Sequence, residues 1–110
     1  MERKMKNKAV ELFSAEPGMY NCAQAVAAAA GRVDMLDELR CCGGGKAPDN
    51  LCGALFAAMG IAGEKNSLLI REKFCSELNA DTCAKLKGEV MVPCARCVAV
   101  AAELLEKYGR

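Results

Sequence analysis

A chain of 110 residues can bury one hydrophobic core, and 53% apolar with 26% charged residues is typical of a folded protein, not a disordered one. The formal net charge is +1 with both signs interspersed, so we expect no nucleic-acid partner, because phosphate binding needs a basic excess. The most apolar run, residues 23–30, is too short to span a bilayer, and no apolar signal segment follows the charged N-terminus. We therefore expect a cytoplasmic protein without membrane insertion.

Apolar residues recur at helical spacing along the chain, and no useful alternating strand pattern occurs. The pattern predicts an all-α fold: a single domain, residues 1–110, formed as a compact bundle of about five or six short helices with a Gly-rich loop. Aromatic residues are scarce at 5%, so the core must be built from Ala, Leu, Val and Met, which suits closely packed helices. The longer predicted stretches are 2–15, 21–31, 51–62, 68–78 and 93–108, and two brief ones are 34–40 and 81–88.

Local signals predict where several helices begin and end. Asn21 is a favoured cap for the second helix, and Gly31 is a natural left-handed residue after its last turn. Asp49 or Asn50 is expected to cap the helix from residue 51. Pro93, favoured at a first helical position, is expected to begin the last helix.

Eight cysteines and no histidine are the anomaly of the composition. Without an export signal, this cysteine content favours metal binding or thiol chemistry over a disulfide scaffold. The absence of His excludes Cys–His nucleophile pairs, mixed Cys/His zinc sites and c-type haem attachment at residues 94–97. Any metal would be held mainly by sulfur.

Four of the cysteines fall at predicted helix N-termini. There the unpaired backbone N–H groups and the positive end of the helix dipole favour negative charge. A thiol so placed can have its pKa lowered from about 8.5 toward neutrality, which populates the thiolate that binds metals or attacks disulfides. We predict that these four act as redox thiols or as metal ligands: Cys22, Cys52, Cys83 and Cys94.

The other four cysteines occupy different positions. Cys75 falls in the middle of a helix on an apolar face, which predicts a small buried hydrophobe. Cys97 lies on the inward side of the last helix, where it either packs in the core or is the redox partner of Cys94 in a C-x-x-C pattern. Cys41 and Cys42 stand beside the glycines and are either auxiliary thiols or incidental.

A resemblance to a known family rests on a specific order of segments. The segments are Asn21-Cys22-Ala23-Gln24-Ala25-Val26, Gly43-Gly44-Gly45, Cys52-Gly53-Ala54, Cys83, and Cys94 leading into residues 101–106. In this order, from about residue 9 to residue 107, the chain resembles the C_GCAxxG_C_C family, described as redox-active proteins with four characteristic cysteines. The resemblance implies redox chemistry at the same four cysteines that helix capping selects. The chain departs from the family at Ala57, where the Cys-Gly-Ala-x-x-Gly motif ends in Gly, and it is shorter before the glycines and before Cys83.

Three functions remain open at this stage. In the first, the four thiolates ligate an iron–sulfur cluster, most simply [2Fe–2S], for electron transfer. In the second, the protein is a cofactor-free thiol–disulfide redox protein. In the third, the cysteines form a structural four-cysteine zinc site or a thiolate metal-binding module. An electron carrier with an unidentified redox partner protein is favoured over an enzyme acting on a small molecule.

Glycines and other small residues give two further predictions. The backbone near the cysteine site is expected to include the glycines Gly43, Gly44, Gly45 and Gly53. The helix from residue 51 is rich in small residues that permit close helix contacts: Gly53, Ala54, Ala57, Ala58 and Gly60. This helix is predicted to be buried at the centre of the fold, with a homodimer as a further possibility.

Overall fold

The structure, a computed structural model, describes residues 5–14, 20–40, 51–88, 92 and 94–108. Its helices are α1 (Met5–Ser14), α2 (Cys22–Ala29), α3 (Leu36–Leu39), α4 (Gly53–Ala62), α5 (Glu64–Leu78), α6 (Cys83–Gly88) and α7 (Cys94–Tyr108), and a 3-10 turn (Val33–Met35) leads into α3. Within the described ranges no strand occurs, and one isolated antiparallel bridge pairs Leu51 with Thr82. The predicted all-α fold is confirmed.

Helix α4 lies at the centre of the bundle. It packs against α2, α5 and α7, while α1 covers α2 and α7. Its first residues are buried, and Ala57 and Ala58 a turn later are fully buried as well. Small side chains allow neighbouring helices to approach this one closely, so the predicted buried central helix is confirmed. Gly60 is exposed, and the homodimer stays a prediction.

The core is one continuous apolar cluster drawn from every long helix. Its largest fully buried side chains are Phe74, Leu39, Leu55, Ile70, Leu86, Val26 and Val98. No Asp, Glu, Lys or Arg of the described residues is buried. The cysteines that enter this core are therefore its ionisable groups, which makes their surroundings chemically distinctive.

The predicted ends of α2 are confirmed. The side chain of Asn21 caps the helix, and Gly31 follows it with φ +79°. The N–H of Arg32 donates to Ala27 and the N–H of Gly31 donates to Ala28, so the last turn closes in a Schellman motif.

Two other predicted helix starts are wrong. The N-cap of α4 is Cys52 itself, not Asp49 or Asn50, both of which lie outside the described residues. Helix α5 begins at Glu64, earlier than the predicted start at residue 68, because Gly63 with φ +86° allows the chain to turn directly out of α4. None of the described helices combines the length and apolar content that a membrane crossing requires.

Candidate functional site

Four cysteines coincide with helix starts, as the sequence predicts. Helices α2, α6 and α7 begin at Cys22, Cys83 and Cys94, and Cys52 is the N-cap of α4. The side chains of Cys83 and Cys94 lie outside what the structure describes, as do Cys41, Cys42 and the glycines of residues 43–45. The thiol geometry therefore rests on the remaining cysteines: Cys22, Cys52, Cys75 and Cys97.

Backbone hydrogen bonds join the start of α4 to the start of α6. The N–H of Cys52 donates to the carbonyl of Asp81 at 2.8 Å, beside the bridge between Leu51 and Thr82. The N–H of Val92 donates to the carbonyl of Leu86 at 2.7 Å, which ties the segment before α7 to α6. These bonds hold the start of α4 and the segment before α7 against the region of α6.

Two cysteine thiols meet where α4 packs against α7. The thiols of Cys52 and Cys97 are hydrogen-bonded to each other, and neither is in a disulfide. Both residues are buried, with 5% and 4% of their surface exposed. The sequence offered Cys94 as the partner of Cys97, and this pairing stays a prediction because the side chain of Cys94 lies outside the described part. Among the described thiols, Cys52 contacts Cys97. Cys97 lies one turn into α7 beside buried Val98, on the face that packs inward, and this face brings it to α4.

The protonation of Cys52 is the reverse of the sequence-based expectation. The thiol of Cys52 donates a hydrogen bond to the sulfur of Cys97, and this bond together with burial raises the pKa of Cys52 well above its usual range. The backbone N–H groups of Leu55 and Ala54, near its sulfur, lower the pKa only in part. The contact with Cys97 and the loss of water together disfavour the charged form more than the two first-turn amides favour it. Cys52 is therefore a neutral thiol at neutral pH, with donors in place for a thiolate.

Cys22 is also buried, but polar side chains cap its helix. The Oδ1 of Asn21 accepts from the N–H of Gln24 at 2.8 Å, and the Oε1 of Gln24 accepts from the N–H of Asn21 at 3.1 Å. This is a reciprocal capping box, so two of the first-turn donors are satisfied without sulfur.

The same capping residues fasten α2 to α3. The Nδ2 of Asn21 donates to the carbonyls of Leu39 and Arg40 at 3.0 Å, and the Nε2 of Gln24 donates to that of Leu36 at 2.9 Å. Sequence reasoning recognised Asn21 as a cap but missed Gln24. The Asn-x-x-Gln spacing was an available signal for the capping box, whereas the bonds to α3 depend on tertiary packing.

Cys75 differs from its prediction as a buried hydrophobe. It lies in the middle of α5, as expected, but it is half-buried and its thiol is hydrogen-bonded with Asp81. Burial and the neighbouring carboxylate raise the pKa of Cys75, so it is not an activated thiol. The same carboxylate accepts from the Nε of Arg71 at 2.9 Å.

A polar cleft lies on another face of the molecule, between α5 and α7. Its volume is about 330 Å³, and Lys73, Ser76 and Tyr108 are among its lining residues. Two ion pairs lie along it, Arg96 with Glu77 and Lys107 with Glu103. No described cysteine lines this cleft, so it is separate from the thiol pair.

The described residues bring no three Cys, Asp or Glu side chains together in a group that could hold a metal. The four-cysteine ligand set stays a prediction, because two of its side chains are outside the described part. Of the four predicted backbone glycines, Gly53 is placed: it is buried and directly follows Cys52 at the start of α4.

Comparisons of the chain with protein-family models, with curated proteins and with solved structures each found no match. The resemblance to the C_GCAxxG_C_C family therefore stays a prediction from the residues that carry it. The thiol geometry is the remaining basis for a function.

Proposed function

We propose that this protein is a thiol-based redox protein in which Cys52 and Cys97 alternate between a dithiol and a disulfide. The observation that carries the proposal is the hydrogen bond between these two buried thiols, which come from helices far apart in the sequence. Two thiols already in contact lose little further freedom when they are joined, which favours disulfide formation over reaction with separate molecules.

The reaction is thiol–disulfide exchange with a disulfide of a small molecule or of a partner protein. One thiol of the pair, as thiolate, attacks a partner sulfur, breaks the partner disulfide and releases one partner thiol. The other thiol then attacks the mixed disulfide and releases the second partner thiol. Two electrons and two protons pass from the pair to the partner, and the pair becomes a disulfide.

The surroundings of Cys52 affect both directions of this cycle. Its raised pKa and burial make the resting dithiol slow to react, which protects it from unselective oxidation. When the disulfide is reduced, the N–H groups of Leu55 and Ala54 stabilise the negative charge on the departing sulfur. The family resemblance, which also implies redox chemistry, agrees with this proposal.

The test is to treat the reduced protein with oxidised glutathione, count the free thiols and map the linked peptides by mass spectrometry. We expect a linkage between Cys52 and Cys97 in the wild type and in Cys75→Ser, the matched control. In Cys97→Ser this linkage cannot form, so the free-thiol count should not fall by this pair on oxidation. A wild type in which these two thiols stay free under oxidation would contradict the proposal.

A second candidate is a cysteine-ligated [2Fe–2S] cluster, favoured by the coincidence of four helix starts with Cys22, Cys52, Cys83 and Cys94. These four residues would hold the cluster, which would supply one-electron transfer. Cys52 fits such a role as a ligand, since it is in no disulfide and the backbone N–H groups of Leu55 and Ala54 lie near its sulfur.

Purification without oxygen separates the candidates. Visible absorption with bound iron and acid-labile sulfide would support the cluster, and zinc alone would support the four-cysteine zinc site. Cys22→Ser provides a sharper division. It should abolish a four-cysteine metal site but leave the linkage between Cys52 and Cys97 intact.

A further inference from the structure

The segment between α5 and α6 contacts the proposed redox pair through Asp81, which binds the backbone of Cys52. Helix α5 ends at Leu78 and its C-cap, Asn79, has φ +64°. The chain then turns so that Asp81 faces both α5 and the start of α4. The main-chain carbonyl of Asp81 accepts from the N–H of Cys52, and its carboxylate accepts from the Nε of Arg71 at 2.9 Å and contacts the thiol of Cys75.

We infer that Asp81 is a positioning residue for the Cys52–Cys97 pair: its ion pair with Arg71 fixes the carbonyl that holds the backbone of Cys52. The inference rests on the proposed redox function and names a residue outside the reacting pair that controls its potential.

Cys52 needs an external anchor because its helix has no polar cap. No side chain caps α4, and Cys52 itself has extended φ and ψ of −56° and 129°. The amides of Ala54 and Leu55 stay near its sulfur only while this conformation is kept. The N–H of Cys52 points away from the helix, and its bond to Asp81 holds the residue from that side.

Asp81 is in turn held by a rigid element. Arg71 and Cys75 are four residues apart, so they share one face of α5, and both contact the carboxylate of Asp81. Phe74 and Leu78 anchor this part of α5 in the core, with 0% and 4% of their surface exposed. The core therefore fixes this part of α5, Arg71 on α5 holds Asp81, and Asp81 holds the backbone of Cys52.

The expected consequence is a change in the reduction potential of the pair. The equilibrium between dithiol and disulfide depends on how closely the two sulfurs are held in the reduced state. Asp81→Ala removes the ion pair, loosens Cys52 and should lower the equilibrium constant for disulfide formation about tenfold. That change corresponds to a potential about 30 mV less negative.

The experiment measures the fraction of Cys52–Cys97 disulfide in a series of glutathione redox buffers. Asp81→Ala and Arg71→Gln should shift the midpoint in the same direction, since each removes one partner of the same pair. Asp81→Asn keeps an oxygen that accepts from Arg71 and should recover most of the wild-type potential. Asp34→Ala removes the exposed ion pair with Arg32, at the turn that leads into α3, and should leave the midpoint unchanged.

The outcomes distinguish failure of this inference from failure of the proposed function. If Asp81→Ala does not fold, Arg71→Gln gives the answer for the same ion pair. Wild-type midpoints in both variants would overturn this inference, as would an equal shift in Asp34→Ala. If the wild type forms no Cys52–Cys97 disulfide at any buffer ratio, the proposed function fails instead.

Discussion

Helices α2 and α4 both start at a cysteine, yet the two helix ends are built differently. At α2 the side chains of Asn21 and Gln24 satisfy the first-turn amides and also bind α3. At α4 no side chain caps the helix, and the amides of Ala54 and Leu55 lie near the sulfur of Cys52 and lower its pKa in part. The same local signal therefore describes a structural end at Cys22 and a chemically poised end at Cys52.

The largest expected effect is the gain in stability when Cys52 and Cys97 are oxidised to a disulfide. A disulfide between Cys52 and Cys97 closes a loop of about 45 residues and, by the chain-entropy relation, should raise the free energy of unfolding by about 4 kcal/mol. Urea unfolding of the oxidised and reduced protein measures this difference. Cys97→Ser should show no such gain, and a similar gain in that variant would contradict the assignment of the pair.

The structural end, at the start of α2, can be disrupted by a substitution at Asn21. Asn21→Ala removes the cap and the two bonds to the carbonyls of α3, so the free energy of unfolding should fall by about 2–3 kcal/mol. Asn66→Ala, on α5, is the control and should change it by less than about 0.5 kcal/mol. The Cys52–Cys97 potential should stay at its wild-type value, and a large shift would mean that the two ends are coupled.

The chemically poised end should show a pH dependence. Cys52 has a raised pKa in the folded state, so its contribution to stability is complete below the unfolded pKa of about 8.5 and is lost as the pH rises above it. The reduced wild type should lose up to about 1.4 kcal/mol more between pH 8.5 and 9.5 than Cys52→Ser, whose hydroxyl does not titrate there. Urea unfolding at several pH values measures this loss. The same loss of unfolding free energy in the two proteins over this range would contradict the raised pKa.

The smallest effect is expected at Cys22. Because Asn21 and Gln24 supply the cap, Cys22→Ala should lower the free energy of unfolding by about 1 kcal/mol or less and leave the Cys52–Cys97 linkage unchanged. Peptide mapping after oxidation, together with urea unfolding, checks both parts. Loss of the linkage in this variant would place Cys22 in the same site as the pair.

Several features of the fold follow from short stretches of sequence. Helical periodicity predicts the all-α class, and Asn21 and Gly31 predict the ends of α2 because capping depends on residues a few positions apart. The same reasoning misplaces the cap of α4. Asn50 is the better capping residue by type, but the bond from Cys52 to Asp81 holds Cys52 in the N-cap conformation, and no local propensity describes that bond.

The thiol pairing shows where sequence reasoning ends. The spacing of Cys94 and Cys97 suggested a local pair, since such patterns are read along one segment. That local pair stays a prediction, but among the described thiols Cys97 contacts Cys52, which belongs to a helix packed against α7, and this contact depends on which face of α7 the core buries. The contact of Cys75 with Asp81 likewise arises from the turn after Asn79.

The sequence by itself determined that this protein is helical, that a central helix of small residues is buried, and that four cysteines stand at helix starts. These properties depend on periodicity, side-chain size and capping, all of which act over a few residues. Tertiary structure alone decided that Cys52 meets Cys97 and that the pKa of Cys52 is raised, not lowered. Helix packing removed the water around Cys52 and placed a second thiol beside it, and for a buried group these two effects outweigh the helix N-terminus.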